Sequence, residues 1–479
     1  MSRSPKTLTA VALTATAGVL LSVASPAEAA DRNRDRDRFT PGAPGAGDPY
    51  FPDMGNGGYD VAHYDIGLKY DPASKNIQAV TRIEARATQN LSRFNLDFLG
   101  PLKISALTVN GKRASYERTG AQELEITPPR GLQKGRPFSV SVAYSGTPQT
   151  IEDPALGTSG WVPNEDGALM VNQPIGAATV YPVNDTPLDK ATYTITLAVP
   201  KGLTALSNGD PAGSWTKNGL AVSRWEMRQP MASELSMIAI GKYDVLTTKL
   251  GRMPNITATD QRLGITPALA TDFNKQTGDF QNYLASIFGK YPFSSTGGIA
   301  LKANVGYALE TQGRPIYDLT RRPGTIPRPD LIIHELAHQW LGDSVTPERW
   351  ADIWMNEGFA TYSEWLYFEK YTGKPVQQTF DEVYATPADD DLWVPKTADP
   401  GRDNIFHPTV YDRGAMTLHA LRKEIGDKAF FTIARSWPTV NRHGNVSTAD
   451  FIAYAEKVSG KQLDTLFKEW VYTSGKPSL

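Results

Sequence analysis

The sequence predicts an α+β fold in two parts, a β-sheet domain followed by a mainly helical domain. Three observations carry this. From about residue 50 to residue 247, apolar residues alternate with polar ones in short segments, the period-2 pattern of half-buried strands. No sustained 3.6-residue period appears before about residue 265, and helical periods dominate from there on. The length of 479 residues, with 40% hydrophobic and 21% charged residues, is enough for two or three packed cores.

In chain order, residues 1–29 read as a secretory signal peptide. Arg3 and Lys6 precede an apolar run over 8–23, and Ala27 and Ala29 supply the small residues of a cleavage site. The run is short for a membrane span and is broken by Thr and Ser, so export with cleavage is expected rather than anchoring. No later run is apolar and long enough to cross a bilayer, and the mature protein is expected to be secreted. Residues 30–48 alternate in charge and then turn rich in Pro and Gly, the composition of a flexible linker. Residues 49–247 form the β-domain. Tyr64, Ile66, Leu68 and Tyr70 fall on one strand face, as do Val140, Val142 and Tyr144, and Tyr193, Ile195, Leu197 and Val199. Asn110-Gly111 marks a hairpin. Residues 248–479 form the second domain, with helices expected over 268–287, 331–341 and 357–370 and two more within 448–472.

Composition excludes some classes of function. A net charge of -2 argues against nucleic acid, because phosphate binding requires a surplus of Lys and Arg. There is no cysteine, so disulfides and thiolate chemistry are excluded and any metal must be held by His, Asp or Glu.

The run His334-Glu335-Leu336-Ala337-His338 is where metal chemistry is written. On a helix, residues four apart lie on one face, so His334 and His338 can direct two imidazoles at one ion. Asp330 can cap this helix and Gly342 can end it. Glu335 is rotated about a quarter turn away, which suits it to hold a water rather than the metal. Catalytic zinc takes three protein ligands and keeps one position open. Glu357, at the start of the next helix and with eighteen residues between it and His338, supplies the third. Trp340, Trp350 and Trp354 lie between and can pack the two helices together. The chain has six histidines; two of them in this spacing with Glu335 between, and Glu357 following, make chance helical spacing a poor explanation. The ligand set implies one zinc per chain, an acidified water and Glu335 as general base. His63, His407, His419 and His443 are read as structural.

With those residues in view, the chain resembles the M1 (gluzincin) family of zinc aminopeptidases. HELAHQWLGDSV followed by WADIWMNEGFATYSEWL is similar to the family's zinc signature, and the similarity extends from YDVAHYDIGLKY to the end. The resemblance implies a saddle-like N-terminal β-domain, a thermolysin-like catalytic domain, peptide substrates and removal of N-terminal residues. The helical C-terminal domain of many members is not expected here. Tyr411, in Tyr411-Asp412-Arg413-Gly414-Ala415, matches the tyrosine that donates to the tetrahedral oxyanion. Glu310, in Gly306-Tyr307-Ala308-Leu309-Glu310-Thr311-Gln312, matches the carboxylate that receives the substrate's amine. There the chain departs from the Gly-x-Met-Glu-Asn pattern at Tyr307, Leu309 and Thr311. Gln173 matches the first residue of a Gln-x-Glu segment, but Ile175 stands where a second amine-binding Glu is usual.

Asp343 and Asp352 are candidates to orient the ligand histidines, with surface or capping roles equally open. Two other readings compete with an aminopeptidase: a zinc peptidase with a relaxed need for a free N-terminus, and an inactive secreted peptide-binding protein. The second is disfavoured by the presence of His334, Glu335, His338, Glu357 and Tyr411 together.

Overall fold

In the computed structural model, which describes residues 38–479, the alternating segments pair into an eight-stranded sheet. Its strands lie in the order 210–217, 220–231, 191–200, 59–71, 76–87, 137–146, 103–109 and 112–113. Neighbours are antiparallel except for Ala191–Pro200 on Tyr59–Asp71. That parallel pair brings Tyr64 opposite Tyr193, and the two rings stack at 4.9 Å between centroids. The residues read as one-faced in the sequence (Tyr64, Ile66, Leu68, Tyr70, Val140, Val142, Tyr144, Tyr193, Ile195, Leu197 and Val199) are all buried. A five-stranded sheet (150–153, 157–163, 168–171, 238–241, 204–207) and a four-stranded one (40–41, 91–97, 123–127, 115–119) contribute to the same core. Asn110 and Gly111, both at positive φ (50° and 71°), close the hairpin between 103–109 and 112–113, the left-handed geometry that a two-residue turn requires.

The second part opens on a five-stranded sheet in the order 243–250, 253–260, 296–301, 316–318 and 308–309. Its first strand begins at Tyr243, so this sheet starts inside the range assigned above to the β-domain. Eight α-helices follow among the described residues: α1 (Pro267–Phe288), α2 (Pro329–Ala337), α3 (Trp354–Thr372), α4 (Val376–Tyr384), α5 (Gly414–Ile425), α6 (Asp427–Val440), α7 (Thr448–Ser459) and α8 (Asp464–Trp470). Helix α1 is the crossover between the parallel strands Met253–Asp260 and Thr296–Leu301. The helices enclose one large core that reaches to Val471 and also takes in Phe51, Met54, Leu156 and Leu263 from before α1. None of the described helices is long and apolar enough to cross a membrane.

Three expectations are corrected. The signal peptide and residues 30–37 lie outside the described residues, but the rest of the linker is ordered. Thr40 and Pro41 pair with Leu91 and Arg93. Asp48, buried, accepts from the backbone N–H groups of Tyr50, Phe51 and Trp350, so this stretch gains its order from hydrogen bonds rather than apolar burial. Helix α2 starts at Pro329, two residues early, with Arg328 at the cap position and Asp330 in the first turn without capping. The three tryptophans also do not simply cement α2 to α3. Trp340 donates to Gly289 O at 3.1 Å, Trp350 meets Phe51, and Trp354 donates to Thr448 Oγ1 at 2.9 Å. Trp340 and Trp350 fasten the intervening loop to different neighbours, and Trp354, the first residue of α3, ties that helix to the start of α7.

Candidate active site

Helix α2 carries His334 in its last turn and ends at Ala337, not near Gly342 as expected. His338, at the C-cap and still right-handed helical in conformation, lies one turn on, with ring centroids 4.9 Å apart. Helix α3 presents Glu357 in its first turn. Glu357 Oε2 lies 3.3 Å from Nε2 of both histidines. The three ligand atoms fall within 4.8 Å of one another, and all three residues are buried. Among the described residues this is the one group of His and acidic side chains arranged to hold a metal ion.

The remaining ring nitrogens are held as well. His334 Nδ1 is 2.6 Å from Glu364 Oε1, and His338 Nδ1 is 3.1 Å from Leu341 O. Each leaves Nε2 facing Glu357, which orients the ring for a metal. Neither Asp343 nor Asp352 takes this part. Asp352 accepts from Thr448 Oγ1 at 2.5 Å, and Asp343 is wholly buried with no donor on either carboxylate oxygen. Glu364 is the residue that sequence reasoning missed. Its signal is its place seven residues after Glu357, two turns along the same helix face.

The electrostatics favour a positive charge at the convergence point. Burial opposes protonation of His338, but the charge of Glu357 outweighs it and lifts the imidazole to about 9. His334 is likewise raised despite burial, by its contacts with Glu357 and Glu364. Glu357 is drawn down to about 2, burial being overcome by the charges of the two histidines. A divalent cation supplies that positive charge while leaving the imidazoles neutral, so these residues fit zinc in both donor type and charge. Glu335, next on α2, is pushed up to about 8 mainly by burial, with Glu310 adding to it. Its carboxylate makes no hydrogen bond to the described residues.

Glu310 follows the edge strand Ala308–Leu309. Its place is fixed by Gln339 of the zinc segment, whose Nε2 donates to Glu310 O at 3.0 Å and whose Oε1 accepts from Gly313 N at 2.7 Å. Gln173, from the β-domain, donates through Nε2 to Glu310 Oε1 at 2.6 Å. Ile175 packs against the apolar core of the second part and offers no charge. Tyr411 sits in a π-helical turn, Thr409–Arg413, that runs into α5, and its ring lies over His334 with centroids 6.1 Å apart. Burial, then the charges of Glu357, Glu310 and Glu335, hold its phenol well above the usual range, so it is a neutral donor.

A buried His-His-Glu triad on successive helices, with a free carboxylate beside it and a β-domain closing over an edge strand, defines a zinc metallopeptidase. Comparison with known proteins places it within that class. The Peptidase M1 N-terminal domain matches residues 61–235, and the Peptidase family M1 domain matches residues 327–470. An M1 zinc metallopeptidase variant from Deinococcus radiodurans, solved with the substrate Tyr-Ser-Ala, is 31% identical. The likeness covers 91% of this chain and 98% of that one, with a TM-score of 0.81. The chain belongs to peptidase family M1. Aminopeptidase 2 of Saccharomyces cerevisiae is 26% identical over 64% of this chain and 34% of its own length. Leukotriene A-4 hydrolase of Xenopus laevis is 24% identical over 88% of this chain and 72% of its own. The chain thus spans about a third of the length of the first curated relatives it matches.

Proposed function

We propose that this protein is an aminopeptidase that releases N-terminal residues from peptides, with one zinc ion per chain held by His334, His338 and Glu357. The observation that carries the reading is the Gln173–Glu310 pair beside the ligand triad. It puts a carboxylate next to the reacting centre, where a protonated amine would end an incoming peptide. When bound, zinc polarises a carbonyl and acidifies a water. Glu335 accepts the proton of the attacking water and passes it to the leaving amine. The Tyr411 hydroxyl donates to the developing oxyanion. Glu310 and Gln173 receive the ammonium group, a charge-assisted contact that orients the peptide. Short peptides such as the Tyr-Ser-Ala bound by the Deinococcus radiodurans relative are the substrate class. Residues 1–29 support action outside the cell.

The test uses matched peptides with free and N-acetylated termini, before and after chelation. Hydrolysis should favour the free terminus, stop when zinc is stripped and return when zinc is added back. Equal cleavage of both peptides would leave a zinc peptidase without exopeptidase character, and full activity in metal-free protein would end the zinc assignment.

A further inference from the structure

Glu234 is a buried acid that the proposed machinery does not use. It lies in the short turn Ser233–Leu235, stitched to both amine-binding segments. On one side Asn172, the residue before Gln173, donates through Nδ2 to Ser233 O at 3.3 Å and to Ser236 O at 2.7 Å. On the other, Gln312 N, two residues past Glu310, donates to Leu235 O at 3.2 Å. The Gln173–Glu310 hydrogen bond spans the same gap.

Glu234 is no more buried than Glu310, at 3% exposure each. Its Oε2 is enclosed without a hydrogen-bond partner, and no donor among the described residues meets its other oxygen. A dry carboxylate without a donor is costly. The neighbouring cation, Lys190, relieves it by its charge alone and gives it no hydrogen bond. All three N–H groups of Lys190 are committed, at 2.8 Å to Asp343 O, 3.0 Å to Ser344 O and 2.7 Å to Thr346 Oγ1. Burial, then the nearby charges of Glu310 and Asp185, against a weaker opposing pull from Lys190, raise the proton affinity of Glu234 well above that of an ordinary carboxylate.

We infer that Glu234 is a second carboxylate for the substrate's N-terminal ammonium group, recessed behind the Gln173–Glu310 pair. Two neighbouring buried carboxylates are stabilised by a cation placed between them. A peptide's ammonium brings that charge together with three donors. The apolar Ile175 contributes none, and Glu234 reaches the amine from a different strand connection. The inference rests on the aminopeptidase reading, because it assigns a residue to that enzyme's amine subsite.

The experiment compares zinc-loaded wild type, Glu234→Gln and Glu310→Gln on matched free and N-acetylated peptides, with calorimetric binding of L-tryptophan and of its desamino analogue. Losing one charge-assisted contact weakens binding about ten- to a hundredfold. Glu234→Gln should lower the free-to-acetylated ratio of kcat/KM by that factor, through KM, and weaken L-tryptophan far more than the desamino acid. Glu234→Leu, which fills the space without a polar group, should do the same, so that a folding defect in one variant does not decide the matter. If wild type prefers free termini and both Glu234 variants prefer them equally strongly, the inference falls and the aminopeptidase reading stands. If wild type shows no preference, both fall.

Discussion

Gly358 and Gly414 touch backbone to backbone where α3 crosses α5. A Cβ built on Gly358 would lie 2.9 Å from the Gly414 carbonyl carbon, and one on Gly414 would lie 2.9 Å from Gly358 Cα. The crossing sits directly beside the chemistry. Gly358 follows the ligand Glu357, and Tyr411 is three residues before Gly414. Two glycines, each costing about 1 kcal/mol of helix propensity against alanine, therefore set the distance between the third metal ligand and the phenol over His334.

From this contact, Gly358→Ala and Gly414→Ala should each impair the enzyme, although alanine is the better helix former. The obstructing atoms are main chain, so no rotamer change relieves them, and overpacking of this kind costs about 1–3 kcal/mol. We expect a lowered thermal midpoint, weaker zinc retention for Gly358→Ala, and reduced turnover for both. A variant with wild-type zinc content and kcat would show that the crossing can spread without moving Glu357 or Tyr411.

Glu364 acts through His334, so its removal should appear in metal affinity. Replacing an outer partner of a ligand histidine typically costs about ten- to a hundredfold. Glu364→Gln should weaken zinc by that factor in competition with a chelator, while turnover at saturating zinc changes less. Asp343→Asn and Asp352→Asn, which do not touch the histidines, should leave zinc affinity within about twofold. If instead Asp343→Asn weakened zinc and Glu364→Gln did not, the second-sphere assignment would be reversed.

Glu335→Gln should keep zinc and lose about a hundred- to ten-thousandfold in kcat, the usual contribution of a positioned general base. Tyr411→Phe should also keep zinc and lose about a hundred- to a thousandfold, the value of one oxyanion donor. Zinc content measured alongside kcat separates these outcomes from ligand loss. Near-normal turnover in Tyr411→Phe would mean that the ring over His334 only packs.

Much of this site was legible before any coordinates, for local reasons. The spacing of His334 and His338 fixes one helix face, and Glu357 needed only a second helix to carry it. What was missed is non-local or disguised. Glu364 declares itself only once the register of α3 is known. Gln339 looks like a helix-end polar residue until its bonds to Glu310 and Gly313 are seen. Helix α4 (VQQTFDEVY) has few apolar residues to set a period, and α6 carries Pro438 near its end, a residue that reads as a breaker. The linker's order comes from Asp48, whose partners at Trp350 lie about three hundred residues away. Tyr411 and Glu310 were placed by resemblance, since no spacing rule ties them to the triad.

His419 gives the fold an acid-sensitive element away from the metal. It is buried between α3 and α4, with Nδ1 at 3.2 Å from the Tyr362 hydroxyl and Nε2 at 3.1 Å from Gln377 Oε1. Burial, then the charges of Arg422 and Lys423, bring its pKa down from 6.5 to about 4, against a weaker upward pull from Asp381 and Asp427. The unfolded chain therefore takes a proton on this residue before the folded one does. Its contribution to stability is intact above pH 6.5 and is lost as the pH falls toward 4, by no more than about 3 kcal/mol. Glutamine can keep both hydrogen bonds and does not titrate. Urea unfolding of His419→Gln should thus lose about 2 kcal/mol less than wild type between pH 7 and pH 4.5. Acid release of zinc affects both proteins equally and cancels in the comparison. Parallel pH profiles for the two proteins would show that the imidazole is protonated in the folded state at no cost, and would remove His419 from the account of acid stability.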